Sequence, residues 1–231
     1  MKKKESVIYG LIITVVIYLT AFIVGKKFQF NVDFIKDSFG SYTTMLLLSI
    51  IAIFVFKNNV NYSISLPKFN QILKPILFAV LATIVIFVSI NIITKILGGT
   101  IEPHPLLAKM TPMQVFVFVF IYASIAEELL FRGFLLNILN PLKNIGITIL
   151  KRKISVSVIM SALAFGLAHL LLIRTGVGVI FLIRVVIFTT TLGLIAGYYQ
   201  EKHDNNAFAI IVHMAGNSLA VIGSIIMSML S

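Results

Sequence analysis

Ile125-Ala-Glu-Glu-Leu-Leu-Phe-Arg-Gly133 sets two adjacent carboxylates and an arginine inside a stretch that otherwise reads as a helix built for hydrocarbon. An ionisable side chain in a bilayer costs roughly 3 kcal/mol or more unless it pairs, protonates or meets water, so such residues mark function by default. Whether the surroundings are lipid is decided by composition. The 231 residues are 59% hydrophobic and only 12% charged, with a mean hydropathy of +1.05, whereas a soluble domain is about 25% charged. The chain therefore reads as an all-α, polytopic membrane helix bundle whose first partner is the lipid bilayer. Its net charge of +11 lies in short basic clusters between apolar runs, as expected of cytoplasmic loops, and implies no nucleic-acid partner. The absence of cysteine removes disulfides, thiolate metal ligands and a cysteine nucleophile together.

Working outward from the Glu pair, apolar runs predict seven spans: Val7–Val24, Ser41–Phe56, Pro75–Leu97, Met113–Asn137, Ile154–Ile173, Val179–Tyr199 and Ala207–Leu230. The first follows three lysines but ends in Gly25-Lys26-Lys27 rather than a small-residue cleavage site, and reads as a retained span. Pro112 suits the first turn of the helix that holds the Glu pair, after a proline-bearing loop over 100–112. The segment Asn140–Leu150 leaves room for an eighth, short or re-entrant element. With seven spans and the N-terminus inside, eleven Lys and Arg fall on the inner side against six on the outer, predicting a multi-pass protein of the cell membrane with a cytoplasmic N-terminus. No linker or repeat divides the chain, so residues 1–231 read as one domain, with 1–97 carrying spans of no assigned role and 113–220 the polar core.

Three of the apolar runs carry that polar core. Glu128 and Arg132, four apart, share a helix face and neutralise each other locally, whereas Glu127 points about 100° away and lacks that partner. A buried ion pair that fixes packing accounts for Glu128 and Arg132 but leaves Glu127 to act as a proton acceptor. The fifth run holds His169, with Gly166 and Ala162, Ala164 and Ala168 permitting a close neighbouring helix. The last holds His213 and Asn217 on one face beside Ala209, Gly216 and Ala220. Each histidine also admits a plain packing role, and His213 with Asn217 an interhelical hydrogen-bond role. Together they suit hydrolysis of a carbonyl compound by activated water: a carboxylate takes the proton, imidazoles position the water directly or through zinc, and Asn217 donates to the oxyanion. Glu127, His169 and His213 would be the zinc ligands if a metal is used, and a metal-free route is equally open chemically. Arg184, inside the sixth run, is expected either near the Glu pair or snorkelling, and His104 and His203 are expected in solvated loops. Straight spans would place His169 about 23 Å and His213 about 9 Å from the inner surface, depths that do not meet.

Glu127-Glu128-x-x-x-Arg132, Phe165-x-x-x-His169 and His213-x-x-x-Asn217, on separate apolar segments and in this order, resemble the CPBP family of intramembrane proteases. That family contains the type II CAAX prenyl endopeptidases and the bacterial Abi proteins of bacteriocin processing and self-immunity. The resemblance covers roughly Met113 to Ala220. It implies an endopeptidase acting on a peptide or protein substrate near the membrane surface, with Glu127 activating water and Glu128 and Arg132 holding the site. It further implies that His169 polarises the water, and that His213 with Asn217 stabilises the oxyanion or completes a metal site. A non-catalytic immunity or binding protein on the same scaffold is the alternative. A small ion-coupled transporter is another, although no inverted pair of broken helices supports it.

Overall fold

The computed structural model describes residues 2–230 except 29, 31, 37, 101–103, 105, 106 and 150. Among them, seven helices are long and apolar enough to cross a membrane. They are α1 (Lys3–Lys27), α2 (Ser38–Val55), α3 (Phe69–Ile96), α4 (Pro112–Leu136), α5 (Val156–Thr175), α6 (Val179–His203) and α7 (Asn206–Leu230). The loop prolines Pro103 and Pro105 lie outside the described residues.

Helix α4 is the hub. From Leu129 to Leu136 every residue is buried, as a helix apolar on all sides must be. On one side α1, α2 and Phe165 of α5 pack on it through Ile17, Ala21, Met45, Ala52, Leu130 and Leu135. A second core, Ala79, Leu192, Ala196, Phe208 and Val212, joins α3, α6 and α7. The α5–α6 seam is close because Gly166 lies against Thr190 and the Val186 carbonyl, while Gly197 leaves room for Val158. Small residues therefore do at this seam what the sequence predicts beside His169. Outward faces stay apolar, as at Phe54 and Val85, and fit lipid contact.

Two expectations change, and one contact is added that the sequence does not announce. Helix α3 begins at Phe69, with Pro75 buried inside it, because its mixed first turns are helical without being apolar. Between α4 and α5 there is no eighth helix among the described residues. Instead a short 3₁₀ turn, Asn140–Leu142, leads into an antiparallel hairpin of β1 (Gly146–Ile149) and β2 (Arg152–Ser155), in which Ile147 pairs with Ile154. β-Branched alternation favours strands there, and Lys151 adopts a left-handed φ of 64° at the turn. The hairpin is tied to the bundle: Ser155 caps α5 through Val158 N at 3.1 Å and donates to Glu201 Oε1 at 2.7 Å, and Arg152 covers the Phe78 ring at 4.5 Å. Finally, the polar loop before α3 is strapped to the start of α7, since Asn205 exchanges hydrogen bonds with Ser65 N and O at 3.1 and 2.9 Å.

Candidate active site

Glu127 and Glu128 end a five-residue α-helical turn, Ser124–Glu128, set between two π-helical stretches, Val115–Ala123 and Leu129–Leu136. Widening from i→i+4 to i→i+5 bonding leaves carbonyls short of donors at the junctions, and lipid supplies none. Side chains supply them. Asn217 Nδ2 and Ser124 Oγ donate to Val119 O at 3.3 and 3.5 Å, and Ser161 Oγ donates to Phe131 O at 2.7 Å. Gln200 Nε2 donates to Arg132 O at 2.8 Å, and Asn137 Nδ2 to both Arg132 O and Gly133 O. These bonds fix the rotation of the turn that presents the carboxylates.

Glu128 is fully buried and accepts at Oε1 from Arg132 Nη1 and from His213 Nδ1, each at 2.8 Å. The Arg132 guanidinium lies 4.5 Å from the centre of the Phe165 ring, and Gly193 of α6 faces its Nη2 so closely that a Cβ there would overlap it. Glu128 is the acceptor in both bonds, so the His213 proton sits on Nδ1 and its Nε2 faces outward as an acceptor. That nitrogen points at Glu127 Oε2 from 3.8 Å, beyond hydrogen-bond range. Glu127, 8% exposed, has no hydrogen bond to the described residues; the charges that act on it belong to His213, Glu128 and Arg132.

His169 stands where α5 tightens into a 3₁₀ turn, and its Nδ1–H donates to Phe165 O at 2.9 Å. Its ring lies 5.0 Å from that of Phe165, and the His213 ring lies 5.5 Å from the same phenyl. The two histidines thus flank one side chain, and the mismatch of depth expected from straight spans does not hold. The His169 ring leans back toward the start of its own helix, onto Phe165 O.

The structure redistributes several roles. Asn217, expected to aim at an oxyanion, spends its amide on Val119 O and on Ser124 Oγ at 3.3 Å. Arg184 lies over Phe181 and Phe87, at 4.9 and 5.6 Å, and acts electrostatically on His104. His104, expected in a solvated loop, is partly buried: it packs 5.5 Å from Phe181, and burial first, then the neighbouring His169 and Arg184, push its pKa down to about 4. His203 stacks on Phe208 at 4.0 Å. Among the described residues no group of three or more His, Asp or Glu is placed to hold a metal ion. The expected zinc ligands Glu127, His169 and His213 do not form such a group among the described residues, although Nδ1 of each imidazole is held by Phe165 O or Glu128 and leaves Nε2 free.

Gly193, Gln200, Ser161, Tyr18 and Tyr42 belong to the surroundings of the site and carry no motif. A polar tip in mid-span is the signal that marks Gln200, Ser161 and the tyrosines, and for Gly193 only contact with Arg132 reveals it. Residues 109–219 match the family described as Type II CAAX prenyl endopeptidase Rce1-like. No curated protein and no solved structure gives a significant match.

Proposed function

We propose that this chain, Rce1-like through residues 109–219, is an intramembrane endopeptidase in which Glu127 activates the attacking water. The family is one of CAAX-type proteases embedded in membrane, which supports a peptide substrate at a lipid bilayer. The observation that carries the catalytic reading is the facing pair Glu127 Oε2 and His213 Nε2 at 3.8 Å, two acceptors without a donor between them. One water donating to both at about 2.8 Å subtends about 85° between them, within reach of its own bond angle. Its oxygen lone pair is then directed away from both acceptors and toward a substrate carbonyl.

The steps balance with the chain's own groups. Glu127 takes a proton from the water as the oxygen bonds to the carbonyl carbon, and the carbonyl electrons move onto oxygen. Collapse of this intermediate breaks the C–N bond, and protonated Glu127 returns the proton to the departing nitrogen. Glu128, locked by Arg132, holds His213 in one tautomer, the part an orienting carboxylate plays behind any catalytic imidazole. His169 bounds the site across Phe165. The three candidate metal ligands do not form a group among the described residues, and the steps above are written with the chain's own residues alone.

The charge balance of the loops supports an N-terminus in the cytoplasm, which puts the basic hairpin and Lys57 on the same, inner side. Purified protein in nanodiscs tests the function with internally quenched peptides ending in a CAAX sequence, farnesylated and unmodified. Cleavage by wild type, reduced about 10²- to 10⁴-fold in Glu127→Gln, is expected for a lost general base. Equal cleavage by Glu127→Gln, or none of either peptide by wild type, overturns the reading.

A further inference from the structure

The β hairpin meets the end of α6 in a cleft of about 230 Å³ that shares no residue with the Glu127 site. Lys143, Lys153 and Lys202 line it together with Ser155, Tyr198 and Glu201, three cations against one carboxylate, a surplus of two positive charges. Glu201 spends Oε1 on the Ser155 hydroxyl at 2.7 Å, and Lys153 Nζ spends one proton on Asn144 O at 2.8 Å. Among the described residues none of the three lysines is in an ion pair. An anion entering the cleft relieves their mutual repulsion and meets several ammonium donors at once. At about 30 Å³ per water the space holds roughly eight waters, enough for a phosphate and short of the ~300 Å³ at which pockets begin to take drug-sized ligands.

The hairpin that walls the cleft has two unlike faces, as the period of two dictates. Its register pairs Thr148 with Lys153 and Gly146 with Ser155, which puts the polar, cleft-lining residues on one face. Ile147 and Ile149 fall on the other, and with Ile145 each is about half exposed. Arg152, paired with Ile149 on that face, lies over the Phe78 ring at 4.5 Å. Phe78 is on the outward, apolar flank of α3, one helical turn beyond Pro75, where the apolar run of that helix begins. The hairpin therefore sits at the level where α3 passes from polar to apolar surroundings, the boundary of the bilayer. Exposed isoleucines on a two-stranded ribbon invite aggregation in water and gain by burial at the acyl boundary.

A free phosphate accounts for the lysines alone. A membrane surface accounts for both faces: a lipid phosphate enters the cleft, and the neighbouring acyl chains receive the isoleucines. We propose that the cleft binds the phosphate of an anionic phospholipid through Lys143, Lys153 and Lys202, with Ile145, Ile147 and Ile149 seated in the headgroup–acyl boundary. Basic clefts between helices on the cytoplasmic side of a membrane suit such headgroups, and the orientation argued above makes the leaflet the inner one. The lipid bridges the hairpin to α6 at Lys202, two residues from Gln200, whose amide holds the Arg132 carbonyl at 2.8 Å. One turn of helix thus joins the lipid site to the turn that carries the carboxylates.

The test is native mass spectrometry of the full chain from neutral detergent micelles, titrated with dioleoylphosphatidylglycerol, with dioleoylphosphatidylcholine and with inorganic phosphate. Wild type is expected to hold one phosphatidylglycerol at least about tenfold more tightly than phosphatidylcholine. A lysine near an anionic lipid contributes about fivefold, so Lys143→Gln, Lys153→Gln and Lys202→Gln together should weaken that binding about 10²-fold. Lys2→Gln, Lys3→Gln and Lys4→Gln remove the same charge from the same side of the membrane and should leave the affinity within about threefold. Equal affinity for the two lipids, equal losses in the two triple variants, or inorganic phosphate binding as tightly as the lipid overturns the proposal. A second readout needs no lysine variant: the chain has no cysteine, so Ile147→Cys carries a single nitroxide. In nanodiscs containing phosphatidylglycerol its collisions with oxygen should exceed those with a water-soluble nickel chelate, and the reverse overturns the placement of the hairpin. Neither readout uses cleavage, so a failure of the peptidase reading leaves this proposal standing.

Discussion

Gly193→Ala tests the physical core of the site without touching a residue that bears a proton or a charge. A methyl at 193 overlaps Arg132 Nη2, and retreat is blocked behind it by the Ala162 Cα and Cβ, which it would meet at 3.1 and 3.2 Å. The end of an arginine ordinarily swings aside at little cost. Here the guanidinium is fully buried, set against Phe165 and bonded to Glu128, so it has nowhere to swing. If α6 yields instead, the cost is that of overpacking, about 1–3 kcal/mol. If the ion pair yields, Glu128 loses its partner in a buried setting, at about 3–5 kcal/mol. The expected destabilisation is therefore about 2–4 kcal/mol, with a loss of cleavage because His213 is held through Glu128. A double-mutant cycle with Arg132→Met, read by denaturant unfolding in detergent, isolates the cause. In the Arg132→Met background Gly193→Ala should cost under about 1 kcal/mol, because methionine vacates the contested space. Equal costs in both backgrounds, or a Gly193→Ala protein as stable as wild type, refutes this account of why residue 193 is glycine.

Glu128→Gln presents an amide donor to His213 and favours the wrong tautomer, so kcat should fall about 10²- to 10⁴-fold in the peptide assay. Chelation with 1,10-phenanthroline or EDTA should leave cleavage within about twofold, because Glu127, His169 and His213 are not gathered as ligands; loss restored by Zn²⁺ would contradict this. His104, with its pKa pushed down to about 4 in the folded protein, binds fewer protons than the unfolded chain between pH 4 and 6.5. Its contribution to stability is thus complete above about pH 6.5 and lost as pH falls toward 4. From pH 7 to pH 5 the wild type should lose about 2 kcal/mol more than His104→Phe in matched denaturant titrations.

The class of fold was legible because composition measures solvent directly, and each span rises well above the polarity of its flanks. The pairing of Glu128 with Arg132 was legible because four residues bring side chains together on a helix whatever surrounds it. Gly166 was legible for the same reason, as small residues in a membrane helix mark a close neighbour. Hydropathy is blind to the start of α3, whose first turns are helical yet mixed, and to a hairpin of eight strand residues lying between two spans. The partners of His213 and Asn217 were not legible, because each depends on the rotation of α4. The expectation for Asn217 rests on its spacing from His213 along α7, which carries no information about the two π-helical stretches of α4 that bring Val119 O and Ser124 to its amide.

Those stretches also explain why the site needs most of the bundle. Each π junction frees carbonyls that hydrocarbon cannot satisfy, and the donors come from α5 (Ser161), α6 (Gln200), α7 (Asn217) and α4 itself (Ser124, Asn137). A regular α-helix would be self-sufficient and indifferent to its neighbours, as any lipid-facing span is. By giving up that self-sufficiency, α4 makes the orientation of Glu127 depend on three other helices at once. Removing a single donor, as in Gln200→Leu, should therefore cost more in cleavage than in stability. The Arg132 carbonyl keeps its bond from Asn137 at 3.0 Å, while the turn that aims Glu127 at His213 loses one of its restraints.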